Sequence, residues 1–414
     1  MRKIKKVLAL TMASMLLVGS FTGCGGKDDS NTSSKPAGGD TKKETQDVSL
    51  TVWGPQESQE WLQKTCEDFN KAHEEYNIKF TFEVCAEGDA KDAVTKDIDN
   101  AADVFMVAND NLPTLVDAGA VAEFAGTYKD QIAAINTDTY MTSVTYQDKV
   151  YGVPYAANTF FMYYDKSVFS EDDVKSLDKM LEKGKVAFPL KNSWCIPSFY
   201  VSNGDMFKGG TDGSAGVTFA DDNGVAVTKY LVSLTKNPNF SVCDFGVDPL
   251  NAGANATFSG DWAANDVKAI LGDNLGVAVL PSINVNGQEC QLKPYAQSKA
   301  ICVNAKTTDR GNQQAATDLA IYLGSEDVQL SRYEALNTTP AAASLLDKVS
   351  SDPIVSTAMK QMEVAFVRGL LKEMDNTWAA FETMGNEIAN GDVTEANAAE
   401  KTKTMADNIT GAGL

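Results

Sequence analysis

The chain has one histidine, His73, in 414 residues, and 36 Lys and Arg against 56 Asp and Glu, for a formal net charge of -20. A lone imidazole excludes His-dependent acid–base chemistry and a His-rich metal site. The shortage of positive charge excludes a phosphate-backbone binder, so no nucleic-acid partner is expected. There is no CxxC pair, which removes zinc-ribbon and thioredoxin-like readings. GxSxG, P-loop and HExxH motifs are also missing. Neither cofactor nor metal is expected. No apolar run is long enough to span a bilayer, which takes roughly 20 helical residues.

What is there begins with an asymmetry. Residues 1–23 carry Arg2, Lys3, Lys5 and Lys6 and no acid, followed by an apolar run from Val7 to Val18. A basic start with a short apolar core is a secretory signal peptide. Its end, Phe21-Thr-Gly-Cys24, resembles the lipobox of bacterial lipoproteins. That resemblance implies lipidation of Cys24 and anchoring through the N-terminal lipid alone. Residues 24–47, rich in Gly, Ser, Thr and mixed charge, cannot build a core and are expected to form a flexible tether. Six further cysteines are scattered through the rest, and either disulfides or free thiols suit them.

At 43% hydrophobic residues the remainder can bury real cores, and its length suggests two domains or more. Val48, Leu50 and Val52 alternate as in a strand. Residues 56–74 place Trp61, Leu62, Cys66 and Phe69 at helical spacing, and Ile78, Phe80, Phe82 and Val84 alternate again. Strand, helix, strand at this spacing is a βαβ unit of a parallel sheet. Further strands are predicted at 103–107, 150–154, 160–164, 185–190, 276–280 and 300–303, with helices at 89–99, 112–118, 128–135 and 171–183. From 311 the pattern is helical, over 313–336, 354–366, 375–390 and 393–409, with Asn390-Gly391 ending one helix and Thr394 capping the next. The fold class is α/β with a helical C-terminal part.

Several segments, in order, carry a family resemblance. They are Leu50-Thr-Val-Trp53, Ala101-Ala-Asp-Val-Phe-Met-Val107, Tyr151-Gly-Val-Pro154, Phe161-Met-Tyr-Tyr-Asp-Lys166, Phe258-Ser-Gly-Asp-Trp262, Gly276-Val-Ala-Val-Leu-Pro281 and the Trp378 helix. The chain from 48 onward resembles the extracellular solute-binding proteins of ATP-binding-cassette sugar importers, most closely those for maltose and maltodextrins. The resemblance implies a two-lobed, type II periplasmic-binding-protein-like fold with three hinge crossovers, near 157–161, 297–301 and 348–354. The N-terminal lobe is then 48–157 plus 301–347, and the C-terminal lobe 161–296 plus 354–414. It also implies a monomer outside the cell that closes on a malto-oligosaccharide and delivers it to permease subunits.

Five tryptophans are available for a sugar site. Pyranose rings present flat C–H faces that stack on aromatics, and their hydroxyl rims need hydrogen bonds. Trp61 lies on the apolar stripe of its helix and is assigned to the core. Trp53 ends a strand before Gly54-Pro55, where ligands bind in open α/β sheets. Trp194 follows a strand, Trp262 follows Ser-Gly-Asp, and Trp378 opens a helix. In the family, aromatics stand at the positions matching Trp194, Trp262 and Trp378. Asp110 matches a family carboxylate, and Glu57 falls at a second polar position. Bland alternatives for these two are a helix cap and a first-turn acid. Asn158 stands where the family has an acid, and Val107 where it has a Trp, so a differently shaped subsite is expected. Other oligosaccharides (xylo- or galacto-oligosaccharides, cyclodextrins) and a surface glycan adhesin or sensor remain as alternatives. A glycosidase would need a carboxylate pair, and no local constellation suggests one.

Overall fold

In the computed structural model the described residues are 45–411, apart from 203, 209–215, 308–309, 368–369 and 371–373. They fall in one compact unit, Glu44–Leu414. The signal peptide, Cys24 and most of the tether lie outside the described residues.

The first strand, Gln46–Gly54, buries Val48, Leu50, Val52 and Gly54 on one side, as its alternation requires. It starts two residues earlier than the tether reading allowed, because Gln46 and Asp47 already pair in register with Tyr76 and Asn77. It pairs in parallel with Tyr76–Val84 and with Val104–Ala108. The helix between the first two strands, Gln59–Ala72, buries Trp61, Leu62, Thr65, Cys66 and Phe69 as one stripe. Trp61 is thus a core residue, its Nε1 donating to Ser331 Oγ at 3.1 Å.

Two sheets result. The six-stranded one runs Phe366–Val367, Tyr295–Val303, Val104–Ala108, Gln46–Gly54, Tyr76–Val84, with Val153–Asn158 also paired to Tyr295–Val303. The five-stranded one runs Leu275–Ala278, Phe161–Asp165, Ala256–Ser259, Val186–Phe188, Phe240–Val242. Each sheet has its own hydrophobic core. The chain leaves the first sheet after Asn158 and enters the second at Phe161. It returns through Tyr295–Val303, which is buried along its whole length. A third passage follows helix Glu326–Leu336 and leads to helix Pro353–Glu363.

Four helix predictions need correction, the first being 354–366, which ends at Glu363 because Phe366–Val367 is a strand paired with Tyr295 and Ala296. The 171–183 helix is interrupted at Ser176, which is extended and bridges to Ser282, so only Leu177–Lys183 is α-helical. The 313–336 helix is two helices, Arg310–Leu323 and Glu326–Leu336. They break at Gly324, where a Cβ would lie 2.3 Å from Val153 Cγ1. The last helix is Ala398–Thr410, starting five residues later than expected; Thr394 precedes the turn that leads into it, its Oγ accepting the Asn397 N–H at 3.4 Å while its own backbone N–H donates to Asn397 Oδ1. Asp375–Asn390 ends as expected, at Gly391 with φ +82°. All six cysteines of this unit are free thiols.

Candidate functional site

Between the two sheets lies a cleft of about 600 Å³. It is built largely at the carboxyl ends of strands, where loops leave the sheets and side chains become available to a ligand. From the first sheet, Pro55 and Glu57 follow Gly54, Val84 ends the second strand and Glu87 follows it, and Ala108 ends the third with Asp110 in the turn beyond. From the second sheet come Trp194, Phe245 and Trp262, each from the loop after a strand. Trp378 projects from helix Asp375–Asn390, and Asn158, Gln297 and Lys299 form the floor on the two crossover strands.

The second-sheet side is an aromatic wall. Trp194 and Trp262 have ring centroids 6.1 Å apart with planes at 30°. Phe245 lies 5.7 Å from Trp194 and 6.2 Å from Trp262. All three rings are only half-buried. Trp262 owes its place to Gly260: a Cβ there would sit 2.0 Å from the indole Cζ3. Trp194 is held by its Nε1, which donates to Gln297 Oε1 at 2.6 Å. Trp378 packs against Tyr295 at 5.8 Å.

The first-sheet side mixes apolar surface from Pro55, Val84 and Ala108 with acidic groups. Glu57 is exposed in the short turn Gln56–Ser58, and Asp110 is half-buried in the turn Asn109–Asn111. No side-chain hydrogen bond caps the turn at Asp110, so it does not serve as a helix cap, whereas Glu57 does lie in the first turn of its short helix, as its bland alternative has it. Both can accept hydrogen bonds from hydroxyl groups.

Charge on the floor is compensated internally. Lys299 Nζ lies 3.2 Å from Glu87 Oε1, both side chains being 9% exposed, and 4.7 Å from the Trp262 ring centroid. Tyr155 Oη donates to the same carboxylate oxygen at 2.7 Å. Burial works to raise the Glu87 pKa, but Lys299, Arg332 and the Tyr155 hydroxyl outweigh it and hold the carboxyl below its ordinary value. Asp261, beside Trp262, is shifted upward by burial, against the pull of Lys299. Its Oδ2 accepts the Thr339 N–H at 2.6 Å, tying the Trp262 loop to the third passage.

The structure therefore brings together Glu57, Asp110, Asn158, Trp194, Trp262 and Trp378. Trp53 is not among them. It is still within the strand, on the face opposite Val52 and Gly54, and its Nε1 donates to Glu83 Oε2 at 2.7 Å. The strand's last residue is Gly54, so the cleft is reached by the turn beyond it. Val107 is fully buried in the first core, and Ala108 is the residue of that strand that lines the cleft. Sequence reading missed Phe245, Glu87, Gln297 and Lys299. Phe245-Gly246 follows a three-residue strand too short to stand out. Gln297 and Lys299 were legible as polar interruptions of an apolar strand in a crossover segment. Among the described residues no cluster of His, Cys, Asp and Glu could hold a metal ion.

The family of bacterial extracellular solute-binding proteins matches residues 64–357. A solved structure with acarbose is 40% identical, and the match covers 89% of this chain and 100% of that one with a TM-score of 0.85. The ligand-free maltodextrin-binding protein MalE1 of L. casei BL23 is 25% identical over 88% of this chain and 100% of its own, with a TM-score of 0.79. The maltodextrin-binding protein MdxE of Bacillus subtilis (strain 168) is 25% identical, with 98% of each chain covered.

Proposed function

The chain belongs to the bacterial extracellular solute-binding protein family, and from that premise we propose that it captures malto-oligosaccharides outside the cell and delivers them to an ATP-binding-cassette permease. The observation that carries this reading is the opposition, across one cleft, of the Trp194–Trp262–Phe245 wall and the carboxylates Glu57 and Asp110. A glucan needs both: aromatic faces for its C–H surfaces and acceptors for its hydroxyl rim. The two sets come from different lobes, so a sugar docked on the wall completes its hydrogen bonds only when the lobes approach. Ligand stabilises the closed form through those extra contacts alone.

In this reading the protein binds and releases without changing any bond. The most buried of the carboxylates lining the cleft, Glu87, is already committed to Lys299 and Tyr155, which suits a structural role better than proton transfer. Residues 1–23 are a signal peptide, Cys24 carries the lipid, and the tether holds a monomeric body near the membrane permease. No helix among the described residues is long and apolar enough to cross a membrane.

The test is calorimetry on the purified protein with maltose, maltotriose, longer maltodextrins, cyclodextrins, xylo-oligosaccharides and galacto-oligosaccharides. Micromolar affinity for maltodextrins, roughly -8 kcal/mol, is expected, since it allows both capture and release. Tighter binding of a xylo- or galacto-oligosaccharide than of any maltodextrin overturns the assignment.

A further inference from the structure

A second groove, of about 520 Å³, adjoins the cleft, and Phe245 lines both. It follows strand Phe240–Val242, the edge of the five-stranded sheet, from Lys185 and Pro238 at one end to Phe245 at the other. Its opposite wall is the segment that leaves Phe245 through Gly246 and helix Asp248–Asn251. The turn at Gly246 is sharp, with φ at +141°, a conformation side chains other than glycine's rarely allow. Its carbonyl accepts the Thr257 hydroxyl at 3.1 Å, which fixes the turn to strand Ala256–Ser259. The Phe245 ring is thereby held at the junction, within 6.2 Å of Trp262 on the cleft side.

The groove surface mixes the two kinds of group that a sugar needs. Val242, Phe245 and Pro249 supply apolar surface, while Ser241, Asp244 and Asp248 are exposed and polar. Both cavities have the size of a small-molecule site, roughly 300–1,000 Å³. A strand of three residues spans about 10 Å, so the groove extends well past the cleft.

We propose that this groove continues the ligand site: glucosyl units beyond those stacked on Trp194 and Trp262 pass over Phe245 and lie along the edge strand, within hydrogen-bonding reach of Ser241, Asp244 and Asp248. The inference rests on the malto-oligosaccharide reading above and sharpens it to a preference for long chains. A short oligosaccharide fills the cleft and leaves the groove empty. A longer one adds contacts without changing those already made.

The test compares maltotriose with maltoheptaose by calorimetry, in the wild type, in Ser241→Trp, which puts a ring into the groove, and in the Asp244→Ala/Asp248→Ala double variant. The wild type is expected to bind maltoheptaose about tenfold more tightly than maltotriose, the worth of one or two net hydrogen bonds. Both variants are expected to lose most of that advantage and to keep wild-type maltotriose affinity. Should Ser241→Trp lose maltotriose as well, its fold is damaged, and the double variant, altered only at exposed positions, decides. A wild type that binds maltotriose but gains nothing with length overturns this inference alone. So does a length advantage that survives in the double variant. A wild type that binds neither sugar overturns the functional reading together with this one.

Discussion

The indole N–H of Trp194 is spent on the side-chain carbonyl of Gln297, 103 residues away and 2.6 Å distant. An indole nitrogen only donates, so Gln297 must turn its oxygen toward it. A cleft-lining tryptophan of the second sheet's side is thus oriented by a crossover strand. Replacing Gln297 by Leu removes that bond from a half-buried N–H, at a cost of about 1 kcal/mol. The expected outcome is weaker maltotriose binding and a changed tryptophan emission in the ligand-free protein. Gln297→Glu keeps an acceptor for the indole and is expected to stay close to wild type in emission. Fluorescence titration of the two variants checks this.

Trp262→Ala is expected to weaken maltotriose binding by ~1–3 kcal/mol, the range for aromatic stacking of planar ligand rings. Gly260→Ala tests the same wall from behind. Its backbone, at φ -90° and ψ -177°, suits alanine, but the new methyl would meet the Trp262 ring. The ring must move, so the variant is expected to lose much of the same affinity although Trp262 is still present. Wild-type affinity in Gly260→Ala would show that the Trp262 ring does not stack on sugar.

Trp53→Phe is expected to leave ligand affinity unchanged. The substitution removes one hydrogen bond, to Glu83 at an exposed edge, and stability is expected to change by no more than about 0.5 kcal/mol. Calorimetry alongside Trp262→Ala separates a tryptophan at the cleft from one merely near it.

Glu87 links binding to acid stability. Its folded pKa lies below its ordinary value of 4.5. A lowered carboxylate pKa means that the folded state holds the charged form more firmly than the unfolded chain does. The stabilisation is present above the unfolded value and is lost as pH falls through the folded one. Glu87→Gln is expected to destabilise the protein by about 3 kcal/mol at neutral pH, because Lys299 is left buried without its partner. It is also expected to flatten the loss of stability on acidification below 4.5. Urea unfolding of both proteins across that range measures each effect.

Much of this molecule is legible without coordinates. Alternation at Val48, Leu50 and Val52, the helical stripe from Trp61 to Phe69 and the αL stop at Gly391 are local patterns, dictated by backbone geometry and by which side chains avoid water. Where a non-local contact intervenes, the local pattern misleads. Ser176 pairs with Ser282 where a helix is expected, and Gly324, packed against Val153, lies where another is interrupted.

The site divides in the same way. Chemical type alone nominates aromatics and acids for a sugar, and loop signals place most of them near strand ends. That signal is identical for Trp53-Gly54 and for Phe245-Gly246, yet one aromatic is outside the cleft and the other is in it. The difference is which face of a strand each occupies and where that strand stops, and both follow from pairing with distant segments. The sequence by itself therefore determines the α/β class, the two-lobed family and the kinds of group available to a sugar. Only the tertiary structure decides that Gln297 and Lys299 form the floor, that Phe245 joins two cavities and that Trp53 stays outside. Those placements are made by contacts between residues far apart in the chain, such as Trp194 with Gln297 and Lys299 with Trp262, which no local pattern encodes.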